Sequence, residues 1–460
     1  MPSTTSSLRR RASAALVAAC TAALVAPAPA AATPRAPRFG PGIEGYAPYQ
    51  GQTTCDPAAK PGVLAFQRIV LDAYPFTRAG GIGRDCSSGG QSEHKEGRAW
   101  DWGVSASVER EKAAADEVVA WLLARDAHGN AHALARRLGI MYLIWNRRVW
   151  STWGGWEIYC VQHGSACYDP DGGGVRHPHT DHVHFSFGWP GARKQTSFWD
   201  PALSRVAGVT SYPAGDDLWA ATGNGQVFAL GGAGRHGDAT GGAAVVGIAS
   251  TPSGEGYWIA GRDGSVRAFG DAPLRGDASG YASRIVEIAA AGPRGYWLLG
   301  ATGRVFAFGD APALGGAARA GIRFAAMVPA AGGDGYVLVA RNGRTFAFGD
   351  AVDHGGVATV ERAGAVAGAA RRGDGYWIAD RDGHVFGRGP APSFGDLSGT
   401  ELASPVAGIA PSAGGDGYWL VTGAGRVHAF GDAPELGRLE TAAAPVPAAG
   451  PAPGALPDDH

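Results

Sequence analysis

The sequence predicts two folded units in tandem, an α+β unit followed by an all-β unit. Three observations predict it. Helical and strand periodicities alternate between two short runs of metal-ligand side chains, four cysteines lie in or just before that stretch, and a unit of about forty residues then recurs six times. At 460 residues the chain is long enough for two domains, and its formal net charge of −1 gives no footing for a nucleic-acid partner.

The elements follow in chain order. Arg9, Arg10 and Arg11 precede an Ala-, Val- and Leu-rich run that ends at Ala30-Ala31-Ala32, the layout of a signal peptide removed as residues 1–32. The arginine run also permits twin-arginine export. Val17-Ala18-Ala19-Cys20 is close to a lipoprotein box, but the apolar run continues past it, so Cys20 reads as an ordinary signal-peptide residue. No later stretch is long and apolar enough to span a membrane, so the expectation is a secreted or cell-wall-associated protein with no integral membrane segment after cleavage.

Residues 33–203 form the first expected unit. Within it, Val108 to Arg125 has Ala115, Val118, Val119 and Leu122 on one face, an amphipathic helix, and a short helix is expected over Ala131 to Leu138. Ile140 to Trp145 is wholly apolar and suits a buried strand. Cys55, Cys86, Cys160 and Cys167 form an even set in an exported chain; sequence proximity favours Cys55 with Cys86 and Cys160 with Cys167. The first bridge would then pin the Arg84 loop beside the first ligand run.

That run is Ser92 to Asp101, containing His94 and Asp101; the second is His179-Thr180-Asp181-His182-Val183-His184. A catalytic zinc takes three N, O or S ligands and keeps a fourth position open, so His94, Asp101 and one histidine of the second run suffice. In a strand, His182 and His184 point to the same side, so one can bind metal while the other works on substrate. The residues alone do not choose between them. Asp181 can serve as a base or as the acceptor that orients His182; His179 borders the cluster, and His177 reads as a loop residue before Pro178.

His-x-x-Gly-x-Ala-x-Asp followed by a late His-x-His resembles the zinc D-alanyl-D-alanine carboxypeptidases and related peptidoglycan peptidases, over roughly Tyr46 to Asp200. The resemblance implies a hedgehog/DD-peptidase-like α+β fold with Zn2+ on His94, Asp101 and His184. It further implies Asp181 as catalytic base, His182 as oxyanion stabiliser and Arg84 as the residue that holds the substrate, with Ser92 contacting substrate or supporting a ligand. The commonest carboxypeptidase pattern has Glu at the position of Asp181; the shorter side chain leaves open which bond is cut. The implied substrates are peptidoglycan stem peptides. The alternative is a non-catalytic, zinc-containing cell-wall binding protein.

Beyond a Gly- and Pro-rich junction, Gly225, Gly264, Gly303, Gly343, Gly383 and Gly425 mark six copies, spaced 39, 39, 40, 40 and 42 residues apart. Asn-Gly or Asp-Gly turns in four copies, with apolar alternation on both sides, predict hairpins. A preceding strand, and a short final one after the Gly-Asp-Ala-Pro turn, would complete four strands per copy, a blade. The expectation is a six-bladed β-propeller over residues 204–440, binding cell-wall glycan or a surface protein, in a unit that resembles repeats of exported bacterial proteins. The Asp of each Gly-Asp is expected to bond its own turn backbone rather than a cation. Residues 441–460, rich in Ala and Pro, read as a disordered tail.

Overall fold

Helix α1 (Pro61–Ala73) opens on a proline whose fixed φ suits the first helical turn, and it buries Val63, Phe66 and Val70 on one face. These details come from a computed structural model that describes residues 33–170, 174–281, 284–318, 321–357 and 364–440. The expected signal peptide and C-terminal tail lie outside the described residues. Helix α2 (Glu109–Leu123) buries the expected stripe, including Ala115, Val118, Val119 and Leu122, and α3 (Ala133–Leu138) stops at Gly139. Strands β1 (Ala99–Gly103), β2 (Ile140–Trp145), β3 (Arg148–Ser151) and β4 (Gly155–Ile158) are followed by a small hairpin of β5 (Val161–His163) and β6 (Ala166–Tyr168), and then by β7 (His182–Phe187). The main sheet runs β1-β7-β2-β3-β4, antiparallel throughout.

The core of this unit lies on one face of β1 and β7. Phe66 of α1 meets Trp100, Phe185 and Phe187 edge-on at 5.7, 5.2 and 5.6 Å. Trp102 and Val183 join the same cluster. Because strand side chains alternate, burying these residues turns Asp101, His182, His184 and Ser186 to the opposite face. Disulfides join Cys55 to Cys86 and Cys160 to Cys167, bridges that fit an oxidising compartment. Among the described residues no helix is long and apolar enough to cross a membrane.

The expected hedgehog-like α+β domain followed by a six-bladed β-propeller is corrected by the structure. The described chain is mostly β, with twenty-five strands against four α-helices. Helices α2 and α3 and the buried strand Ile140–Trp145 form where periodicity places them, and β2 then opens a β-meander with β3 and β4. Residues 206–431 form six separate three-stranded sheets, and no hydrogen-bonded barrel closes among the described residues.

Side chains, not a fourth strand, tie the trailing segment to most copies. In five copies the middle-strand Trp donates its indole N–H to the carbonyl fifteen residues on, as in Trp258 to Pro273 (2.8 Å) and Trp297 to Pro312 (2.9 Å). The Gly-Asp-Ala-Pro segment is thus tied to its own sheet through an indole, not through a ladder. The neighbouring Tyr reaches back to the preceding copy: Tyr257 donates to the Gly237 carbonyl at 2.7 Å, and Tyr376 to that of Gly355 at 2.9 Å. In two copies the repeat Asp differs from expectation. Asp271 accepts from the facing hydroxyls of Thr251 (2.9 Å) and Ser253 (2.6 Å), and Asp432 from Ser412 (2.6 Å).

Backbone hydrogen bonds stitch successive sheets at one end. The amide that opens each first strand donates to the turn after the preceding middle strand: Val245 to Gly223, Ile285 to Arg262, Phe324 to Ala301, Val366 to Arg341 and Val406 to Arg381, at 2.8 to 3.2 Å. Val206 does the same to Gly423 at 3.1 Å, which links the first sheet to the sixth.

Phe66→Ala should lower stability by about 3–5 kcal/mol through the cavity left under β1 and β7. Guanidinium unfolding followed by tryptophan fluorescence checks it, as a lower midpoint at unchanged slope.

Candidate metal centre

The first ligand run is held by a single 3-10 turn, Glu93–Glu96. Ser92 caps it, its Oγ accepting from the His94 amide at 3.3 Å, and Gly97 ends it at φ +62°. A side chain at Gly97 would meet the Ala58 carbonyl oxygen at 2.1 Å, which accounts for glycine in the His-x-x-Gly motif. Glu96 accepts from the amides of Thr53 and Thr54, both at 2.9 Å, and from Arg98 Nε at 2.7 Å. Burial raises its carboxyl, but those donors together hold it below the usual range.

On the strand side, β1 and β7 place Asp101 directly opposite His184, with Gly103 opposite His182. Three potential ligand atoms therefore converge. His94 Nε2 lies 3.2 Å from Asp101 Oδ1 and 3.3 Å from His184 Nδ1, and His184 Nδ1 lies 2.9 Å from Asp101 Oδ1. Zinc with bonds of about 2.0–2.1 Å in a tetrahedron sets its ligand atoms roughly 3.3 Å apart, so this triangle fits the ion.

The remaining ring nitrogens are committed elsewhere. His94 Nδ1 is 2.7 Å from the Ile82 carbonyl oxygen, an acceptor for its N–H, and Nε2 turns to the triangle, where it would give up its proton to become a ligand when an ion binds. His184 Nε2 is 2.9 Å from Ser186 Oγ, whose hydroxyl donates to Glu93 Oε2 at 3.4 Å; Tyr142 donates to the same oxygen at 2.6 Å and stacks on the His184 ring. Burial raises the Asp101 carboxyl, and the hydrogen bonds from His184 and His94 outweigh it, holding the group well below the carboxylate range.

The other expected site residues fall around this triangle. His182 is partly exposed, with Nε2 3.7 Å from Asp101 Oδ1 and Nδ1 2.8 Å from Asp181 Oδ1. Asp181 is 66% exposed and hydrogen-bonds His182, the orienting arrangement among its two candidate roles. Arg84 is half-buried; its amide donates to the His94 carbonyl at 3.2 Å, and Cys86, two residues on, carries the bridge to Cys55. Ser92 is fully buried and caps the ligand turn.

Sequence reasoning missed Glu93, Tyr142 and Ser186. The alternation of β7 could have found Ser186, two residues beyond His184; Tyr142 and Glu93 arrive through tertiary packing. His179, which borders the cluster in sequence, is fully buried. Its Nδ1 contacts the His177 carbonyl oxygen at 2.8 Å, its Nε2 has no hydrogen-bond partner among the described residues, and burial holds its pKa well below the ordinary value. His177, His179 and His182 form a second group whose ligand atoms lie within 4.8 Å of one another.

A family model described as "VldE, C-terminal domain" matches residues 55–179. The match takes in His94, Asp101 and both disulfides, and it ends before Asp181, His182 and His184. No curated protein matches the chain.

His184→Ala should abolish tight zinc uptake, and Tyr142→Phe should weaken it by about 10-fold or more, because the second removes only a supporting hydrogen bond. Metal content after dialysis against buffered zinc checks both. In metal-free protein, the depressed Asp101 pKa contributes stability present above the unfolded value of about 3.9 and lost as pH falls through the folded one. Asp101→Asn should therefore lose stability at pH 6 and show a flatter acid limb, measured by unfolding midpoints from pH 6 to pH 2.

Proposed function

We propose that residues 33–203 act, outside the membrane, as a zinc-dependent peptidase on peptidoglycan stem peptides. The observation that carries this reading is the triangle of His94, Asp101 and His184 atoms, with a fourth histidine beside it that is not needed as a ligand. A purely structural site has no use for a partly exposed His182 hydrogen-bonded to Asp181. The motif resemblance supplies the substrate class, and the two disulfides and the Arg-led apolar N-terminus support export.

His94, Asp101 and His184 would hold the ion, which when bound supplies Lewis-acid polarisation of the scissile carbonyl and of water. The chain's own groups do the rest. Asp181 accepts the His182 Nδ1 proton and fixes the tautomer, which leaves His182 Nε2, on the Asp101 side, able to take a proton from water and later to protonate the leaving amine. Asp181 is thereby a positioning residue and His182 the catalytic one. Arg84, on the loop fixed to the His94 carbonyl, would hold a substrate carboxylate or carbonyl through its guanidinium.

The test incubates the full chain, with and without chelator, with defined muropeptides and identifies products by mass. Chelator-sensitive release of a stem-peptide fragment is expected. His182→Ala should lower kcat by about 10²–10⁴-fold at unchanged zinc content. Asp181→Asn should lose less than His182→Ala and shift the pH–rate profile. Zinc-loaded, folded protein that binds muropeptide without cleaving it would instead establish the binding-protein reading.

A further inference from the structure

The six first strands surround a cavity of about 740 Å³ whose charged lining is almost all of one sign. Arg205, Arg262, Arg284, Arg341 and Arg381 line it at one end, Arg371 contributes a sixth guanidinium, and Glu287 is the one acidic side chain among the lining residues. In a chain of net charge −1 this is a concentrated positive field.

The stitching of the sheets gathers the five arginines. Arg262, Arg341 and Arg381 follow middle strands, and their carbonyls accept the amides of Ile285, Val366 and Val406 that open the next first strands. Arg205 and Arg284 directly precede first strands, at the same end. All five are exposed, and none forms an ion pair with an acidic side chain among the described residues. They also feel one another: the charges of Arg262 and Arg341 lower the pKa of Arg284. Glu287, partly buried on the cavity wall, has its carboxyl pKa raised by burial, so a single acidic side chain faces six arginines.

Repelling cations held at one mouth by backbone geometry are relieved by an anion that bridges several of them. A guanidinium fork matches phosphate oxygens with two parallel hydrogen bonds, and several such forks favour a ligand with several charges over a single carboxylate. We propose that this mouth binds a multiply charged phosphate anion. The site is independent of the metal centre and of the chemistry assigned to it.

The test titrates sodium tripolyphosphate into the full chain by calorimetry at about 0.15 M salt, where surface charge is screened beyond roughly 8 Å. One-to-one binding is expected. The triple variant Arg262→Ala/Arg284→Ala/Arg341→Ala should weaken it about tenfold or more, the corresponding triple Lys variant less, and Arg267→Ala, on an outer strand, not at all. Should the triple Ala variant misfold by circular dichroism, Arg284→Ala and Arg381→Ala singly must each weaken binding measurably. Displacement by a glycerol-phosphate oligomer supports a polymeric source for the phosphate, and failure to displace supports a free one. No binding to the intact chain, or equal affinity in the folded triple Ala variant, overturns the proposal.

Discussion

The pairing of β1 with β7 sets Asp101 against His184, and most of the candidate metal centre depends on that register. On the same two strands, Trp100, Trp102, Val183, Phe185 and Phe187 enter the core under α1. A slip of one residue would send the aromatics to the site and the ligands into the core, so burial of the tryptophans enforces the position of the ligands. The free energy that fixes the site is hydrophobic. Ligand chemistry then acts on a geometry it did not have to create.

The third candidate ligand needs a different device, because His94 lies on a turn rather than a strand. Ser92 caps that turn, Gly97 closes it against Ala58, and Glu96 with Arg98 ties it to the Thr53-Thr54 segment. The Cys55–Cys86 bridge spans the Ile82 carbonyl that accepts from His94 and the Arg84 loop beside it. Polar contacts therefore orient the histidine where no ladder can. Glu93 extends this support to the other side, receiving Tyr142 and Ser186 at one oxygen.

The repeat region solves a related problem with side chains of its own. Three-stranded sheets are small, and each buries its face only against its neighbours. The Tyr of each Gly-Tyr-Trp or Gly-Tyr-Val middle strand bonds back to the preceding copy, and the Trp, where present, bonds forward to its own trailing turn. One dipeptide thus carries a bond between sheets and a bond within a sheet. The same connections bring arginines from separate copies to one end of the central cavity.

By itself the sequence determined the local elements and the candidate ligand residues. Periodicity marked α2, α3 and β2, the late histidine run marked β7, and forty-residue spacing marked six copies, because hydrophobic pattern and turn chemistry are local properties. Nearness in the chain also pointed to the two disulfides that form. Tertiary structure decided what depends on contacts between distant residues. It left three strands per sheet, tied trailing segments by indole bonds, gave a mostly β chain, set Asp181 against His182, and buried Ser92 as a cap. It recruited Glu93 and Tyr142 to the ligands and collected the arginines around one mouth. None of these could be read from spacing, since each rests on which residues packing brings within a few ångströms.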